Sequence, residues 1–171
     1  MIHNRLAREK AVNILKMYRI VEPPINVDRI AKLLGFEVVP FDFPNEVSAV
    51  IRIQESTKAI GVNQNHTKAR QRFSTAHEIG HYLSGHENFS HEKKIVVDPE
   101  KKYLDPQYRD EQEADEFAAE LLMPEHMLKV DVLEKKLEIE ELAKRYEVSE
   151  QAMLIQLINL KLAPNGDRYF D

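Results

Sequence analysis

The chain has 171 residues, long enough for one well-buried domain and short for two. Its 43% hydrophobic and 31% charged residues fit an ordinary soluble globular protein, and a net charge of −5 argues against binding nucleic acid through general surface electrostatics. It has no cysteine, which excludes disulfides, thiolate zinc fingers, iron–sulfur clusters and cysteine nucleophiles, so any metal must be held by nitrogen and oxygen.

In chain order, the opening MIHNRLAREKAVNIL mixes charges into its apolar positions, unlike a secretion signal, and apolar spacing from Leu6 to Tyr18 predicts a first amphipathic helix. PPINVDRIAKLLGFEVV reads as a proline stop, a short helix through Ile30 and Leu34 capped by Gly35, and a strand over residues 36–39. Val47–Gln54 and Lys58–Asn63 are β-rich runs separated by Glu55, Ser56 and Thr57, the pattern of a hairpin. Thr67 to Ser84 reads as a long helix ended by Gly85, and residues 86–102 as a polar loop. Asp105 and Pro106 then start a helix that runs to Pro124. Met127–Leu137 is a further helix, and IEELAKRYEVSEQAMLIQLINLKL reads as two helices joined at Val148, with Ser149 capping the second. The expected architecture is a single α+β domain over 1–171. A small N-terminal mixed or antiparallel sheet with its hairpin packs on a helical core (6–125), and a helical, helix-turn-helix-like part follows (126–162). No run of about 18 apolar residues is present, so a cytoplasmic protein without membrane contact is expected.

The long helix carries HEIGH, which is His77, Glu78, Ile79, Gly80 and His81. Residues four apart on a helix lie about 40° apart on one face, so both imidazoles can reach one ion at about 2.0–2.1 Å. Glu78 lies to one side of that pair, better placed for a water on the metal than as a ligand. This is the logic of the HExxH metalloprotease helix, in which the metal acidifies water and the neighbouring carboxylate takes its proton. Gly80, without a side chain, would let another segment approach closely beside the metal.

Two histidines leave zinc one protein ligand short. His86 misses the HExxHxxGxxH spacing, with Ser84 and Glu87 where glycine and histidine would stand, and is assigned to the loop as a solvated side chain. The later helix offers Glu111, which shares a face with Ala114, Asp115, Ala118 and Leu122; an acid in such an apolar stripe needs a cationic partner. Asp115 could accept a hydrogen bond from the far nitrogen of a ligating histidine. Glu113 is the rival ligand, about 200° around the helix from Glu111; otherwise it completes a capping box with Asp110 or faces water. Spacing favours Glu111, and Glu116 and Glu120 read as solvated charges.

These segments together resemble the ImmA/IrrE family of bacterial metallopeptidases. The likeness rests on PINVDRIAKLLG (24–35), IGVN (60–63), RFSTAHEIGH (72–81) and EQEADEFAAELLMP (111–124), and covers about residues 6–125. It implies a zinc endopeptidase with His77, His81 and Glu111 as metal ligands and Glu78 as general base. Manganese or iron remain alternatives, since nitrogen–oxygen sites accept several divalent ions. The implied substrate is a cognate helix-turn-helix repressor, cut to release transcription of a mobile element or stress response. Some members carry an additional C-terminal sensor domain, which is not expected here with the sequence ending at Asp171. Two further expectations concern the substrate. An edge strand within 47–63 could take an extended peptide, or be ordinary sheet. Tyr82, Tyr103, Tyr108, Arg109 and His126 are oxyanion donors by type only.

The competing reading is a DNA-binding helix-turn-helix at 138–160. That segment holds Lys144 and Arg145 as its cations beside five glutamates, so little faces a phosphate backbone, and direct nucleic-acid binding is not expected. Its apolar residues would instead pack on the core or dock the repressor. A metal-binding but inactive regulatory partner is the third possibility.

Overall fold

The computed structural model describes residues 2–54, 57–86 and 106–163. Helix α1 (Ile2–Met17) buries Ala7, Ala11, Ile14 and Leu15, one stripe at three- and four-residue spacing. Helix α2 (Val27–Leu33) starts at Asn26, whose side chain accepts the Arg29 N–H at 2.9 Å, and buries Val27, Ile30 and Ala31. Strands β1 (Glu37–Phe41), β2 (Ala49–Gln54) and β3 (Thr57–Asn63) form a mixed sheet in the order β1-β3-β2, with β1 parallel and β2 antiparallel to β3. The register pairs Ala49 with Val62 and Ile51 with Ile60, so these four side chains share one face and enter the core.

The hairpin expected from the sequence is present, although Thr57 belongs to β3 and Val47 precedes β2; Glu55 and Ser56 lie outside the described residues. Helix α3 (Lys68–Ser84) packs on β2 and β3, and helix α4 (Pro106–Leu122) packs on both α3 and α1. Ala114, Phe117, Ala118, Leu121 and Leu122 are fully buried, the apolar face read from the sequence together with its neighbours. The expected cap at Asp105 lies outside the described residues, as does all of the polar loop at 86–102 except His86.

The expected helix over Met127–Leu137 is broken. A short α5 (Glu125–Lys129) gives way to a π-helical turn, Val130–Glu134. There Asp131, 2% exposed, gathers the Tyr146 hydroxyl at 2.7 Å, Arg145 Nε at 2.9 Å and Lys135 Nζ at 2.6 Å. Helices α6 (Ile139–Tyr146) and α7 (Glu150–Asn159) follow, α7 capped by Ser149 as its sequence predicts. Leu142, Tyr146, Met153 and Leu157 are buried, Gln156 donates to the Met123 carbonyl at 3.1 Å, and Arg72 of α3 donates to the carbonyls of Tyr146 and Glu147. The pair is therefore built into the core, with Arg145 committed to Asp131. The fold is α+β, as expected. Among the described residues, no helix is long and apolar enough to cross a membrane.

Candidate metal centre

The site is assembled from the last two turns of α3 and the first turns of α4. Thr67 caps α3, its hydroxyl accepting the Arg70 N–H at 3.3 Å, and Gly85 ends it in the left-handed region at φ +69°. The Gly85 N–H returns to the Tyr82 carbonyl and the His86 N–H to the His81 carbonyl, each at 3.2 Å. This pair of bonds is a Schellman cap, which folds the residue after the glycine back against the residue five before it. That geometry places His86 on His81.

Helix α4 crosses α3 at Gly80. A Cβ there would lie 3.1 Å from the Ala114 Cα, 3.1 Å from Phe117 Cδ1 and 3.2 Å from the Ala114 carbonyl oxygen, so the close approach anticipated at this glycine is real. Glu111, one turn before Ala114, is thereby carried to the two histidines. His77 Nε2 and His81 Nε2 stand 2.9 Å apart, and the Glu111 carboxylate oxygens lie 3.5 Å from the first and 3.4 Å from the second. Among the described residues these three form a group able to hold a metal ion. Zinc bonds of about 2.0–2.1 Å give a tetrahedral edge of about 3.3 Å, near the two His–Glu separations and somewhat longer than the His–His one.

Proton placement agrees with that fit. His77 Nδ1 lies 2.8 Å from Asp115 Oδ1, and an ionised carboxylate only accepts, so a ring proton sits on Nδ1 and Nε2 is the nitrogen turned toward the site. Two nitrogens and a carboxylate converging in this way require positive charge among them. The electrostatics of the site express the same demand. Burial of the His77 ring opposes protonation, but hydrogen bonds and charges from Asp115 and Glu111 outweigh it and push the pKa up to about 10. Contacts with His77 and then His81 hold the Glu111 carboxyl well below the usual carboxylate range. A divalent cation would answer that demand with the donors this chain offers. Glu78, beside His77 on α3, is buried at 2% exposure.

Three readings of the sequence require correction. His86 is no solvated loop residue: it is 9% exposed, its Nδ1 2.9 Å from His81 Nδ1 and its Nε2 3.5 Å from Asp110 and 3.7 Å from Glu113. The signal for it was the Schellman glycine, not a ligand spacing. Glu113 neither completes a cap nor faces water, because Lys10 Nζ and Ser84 Oγ donate to its Oε1 at 2.8 and 2.7 Å. Nor are Glu116 and Glu120 free solvated charges. Arg8 stands 3.5 Å from Glu116 and 3.7 Å from Glu120, and Glu120 is 3% exposed, one oxygen accepting the Glu125 N–H at 3.0 Å.

Of the oxyanion candidates, Tyr82 is held by Lys58 Nζ at 2.7 Å and packs edge-on against Phe36, and Tyr108 accepts from Gln112 at 3.1 Å. His126 lies on α5, lining a groove with Val12, Leu15 and Ile20, and Arg109 is exposed. Tyr103 lies outside the described residues.

Comparison with known proteins agrees with this architecture. The chain belongs to the Peptidase_M78 family, the IrrE N-terminal-like domain, whose model matches residues 31–157. Membership in this peptidase family implies a metal, and the fit of His77, His81 and Glu111 is consistent with one. The chain is similar to immunity region protein 2 of Bacillus phage phi105, at 26% identity over 121 residues and 70% of each chain. It also shares its fold with a Mycobacterium tuberculosis transcriptional regulator, with a TM-score of 0.64 at 16% identity over 90% of this chain and 46% of the regulator. The chain thus spans less than half the length of that regulator.

Proposed function

We propose that the chain is a metal-dependent endopeptidase, with zinc the metal its nitrogen–oxygen donors suit, and that its substrate is a helix-turn-helix transcriptional repressor. The observation that carries this reading is the convergence of His77, His81 and Glu111 on one point, with the buried Glu78 following His77 on the same helix. When bound, the ion supplies Lewis acidity for a substrate carbonyl and brings the pKa of water down to about 7. The chain supplies the rest. Glu78 takes the proton of the attacking water and returns it to the departing amide nitrogen, so that water is consumed and one peptide bond breaks. Asp115 fixes the His77 tautomer by accepting its Nδ1–H.

Strand β2 ends the sheet order, so an extended peptide could pair with its outer side and be aligned by main-chain hydrogen bonds. Arg70 of α3 donates to Ser48 Oγ at 3.0 Å just ahead of this strand, tying it to the metal helix. The family and the phage immunity-region relative support a repressor as substrate, in the regulation of a mobile element. The test is incubation of the zinc-loaded chain with the helix-turn-helix protein encoded beside it, read by mass spectrometry. One discrete cut, absent with Glu78→Gln, is expected. An intact repressor under every divalent metal would favour an inactive, metal-binding regulatory partner instead, and a tight sequence-specific gel shift by the chain itself would favour DNA binding.

A further inference from the structure

We propose that His86 is a positioning residue for His81, accepting the His81 Nδ1–H and so holding that ring with Nε2 turned toward His77 and Glu111. The inference rests on the metal-site reading above. Three observations carry it: the contact, its burial and its one-way polarity. The two Nδ1 atoms are 2.9 Å apart, with His81 5% and His86 9% exposed, so water does not compete freely for the bond. A neutral imidazole has one donor and one acceptor nitrogen. His81 Nε2 is committed to the site, 2.9 Å from His77 Nε2, so its proton belongs on Nδ1 and His86 Nδ1 must accept it. The His86 proton then belongs on Nε2, the atom that faces the carboxylates of Asp110 at 3.5 Å and Glu113 at 3.7 Å.

Beyond this, Glu113 is itself fixed by Lys10 Nζ and Ser84 Oγ, which are also 2.9 Å from each other. Lysine can only donate and an ionised carboxylate only accepts, so Glu113 presents acceptor oxygens toward the His86 Nε2–H, and the donors from α1 and from His86 converge on it. The two histidines of HEIGH are therefore oriented differently. Asp115 holds His77 directly, whereas His81 is held through a neutral ring that the Schellman cap delivers.

The test compares His86→Leu and His86→Gln with wild-type protein, using Co2+ as the probe. Affinity is read by chelator competition, coordination by the visible spectrum, and the metal-free fold by thermal melting. His86→Leu is expected to weaken Co2+ binding about 10- to 100-fold and to alter the visible bands while the metal-free protein melts as wild type does. His86→Gln, whose amide oxygen can accept the same N–H, is expected to recover most of the affinity. Wild-type affinity and spectrum in both variants would overturn the positioning role alone. Equal loss in both, with lowered melting of both metal-free proteins, would overturn it in favour of packing. Wild-type protein that takes up no Co2+ would overturn the metal site and this role together.

Discussion

Gly80→Ala probes the contact that brings the two halves of the site together. The new methyl carbon would stand 3.1 Å from the Ala114 Cα and from Phe117 Cδ1, where carbon–carbon contacts settle at about 3.5–4.0 Å. Relief therefore needs α4 to retreat by about 0.4 Å or more, because two of the three obstructing atoms are backbone. Alanine gains about 1 kcal/mol over glycine within a helix, while overpacking of a filled contact costs about 1–3 kcal/mol. The expected net change is a loss of up to about 2 kcal/mol, or a fall in melting temperature of a few degrees. Metal binding should suffer more, by about tenfold, because Glu111 moves with Ala114 away from imidazoles that it already meets at 3.4 and 3.5 Å. The assays are thermal melting and chelator competition. A variant that melts higher by the whole helical gain and binds metal as wild type does would refute the close crossing.

Other substitutions separate roles elsewhere. Metal content measured by atomic emission should be near one ion per chain in wild type, Glu78→Gln and Glu113→Ala, and near zero in His77→Ala and Glu111→Ala; metal lost from Glu113→Ala would reassign the third donor. Proteolysis should fall by about 10²- to 10⁴-fold in Glu78→Gln at unchanged metal content, measured on the cleaved repressor. Burial raises the pKa of Glu120 to about 7, above its unfolded value of about 4.3, so this group withdraws stability as pH rises from about 4.3 to 7. Glu120→Gln should therefore match wild type in denaturant titration at pH 4 and exceed it, on the order of 2–3 kcal/mol, at pH 8. Asp131→Ala should lose about 1–3 kcal/mol, since it leaves the buried Tyr146 hydroxyl without its acceptor while the half-exposed Lys135 and Arg145 return to water. The Asp131 pKa lies below its usual value despite burial, because Lys135, Tyr146 and Arg145 hydrogen-bond the carboxylate. Its contribution is present above about pH 4 and disappears as pH falls further.

What the sequence revealed and what it hid divide along a physical line. Thr67, Gly85 and Ser149 mark helix ends through bonds spanning three to five positions, so their roles are legible locally. The meeting of His77, His81 and Glu111 was legible because helical periodicity fixes which side chains share a face, and Gly80 marked where the faces could touch. His86 was misread because a ligand spacing was sought where a capping geometry decided its place. Glu113 and Glu120 were misread because their partners Lys10 and Arg8 lie on α1, more than a hundred residues earlier, and no periodicity within α4 reports them. The π-helical turn at Val130–Glu134 was invisible for a similar reason: it serves the long-range demands of Asp131, which only tertiary packing with Tyr146 and Arg145 creates.

The most direct measurement is anomalous diffraction at the zinc edge from crystals of the zinc-loaded chain. One ion is predicted per chain, about 2.0–2.1 Å from His77 Nε2, His81 Nε2 and a Glu111 oxygen, with its remaining position open to water. Zinc bound by His86 and Glu113 instead, or no ordered zinc near HEIGH, would contradict the site on which the proposed hydrolysis depends.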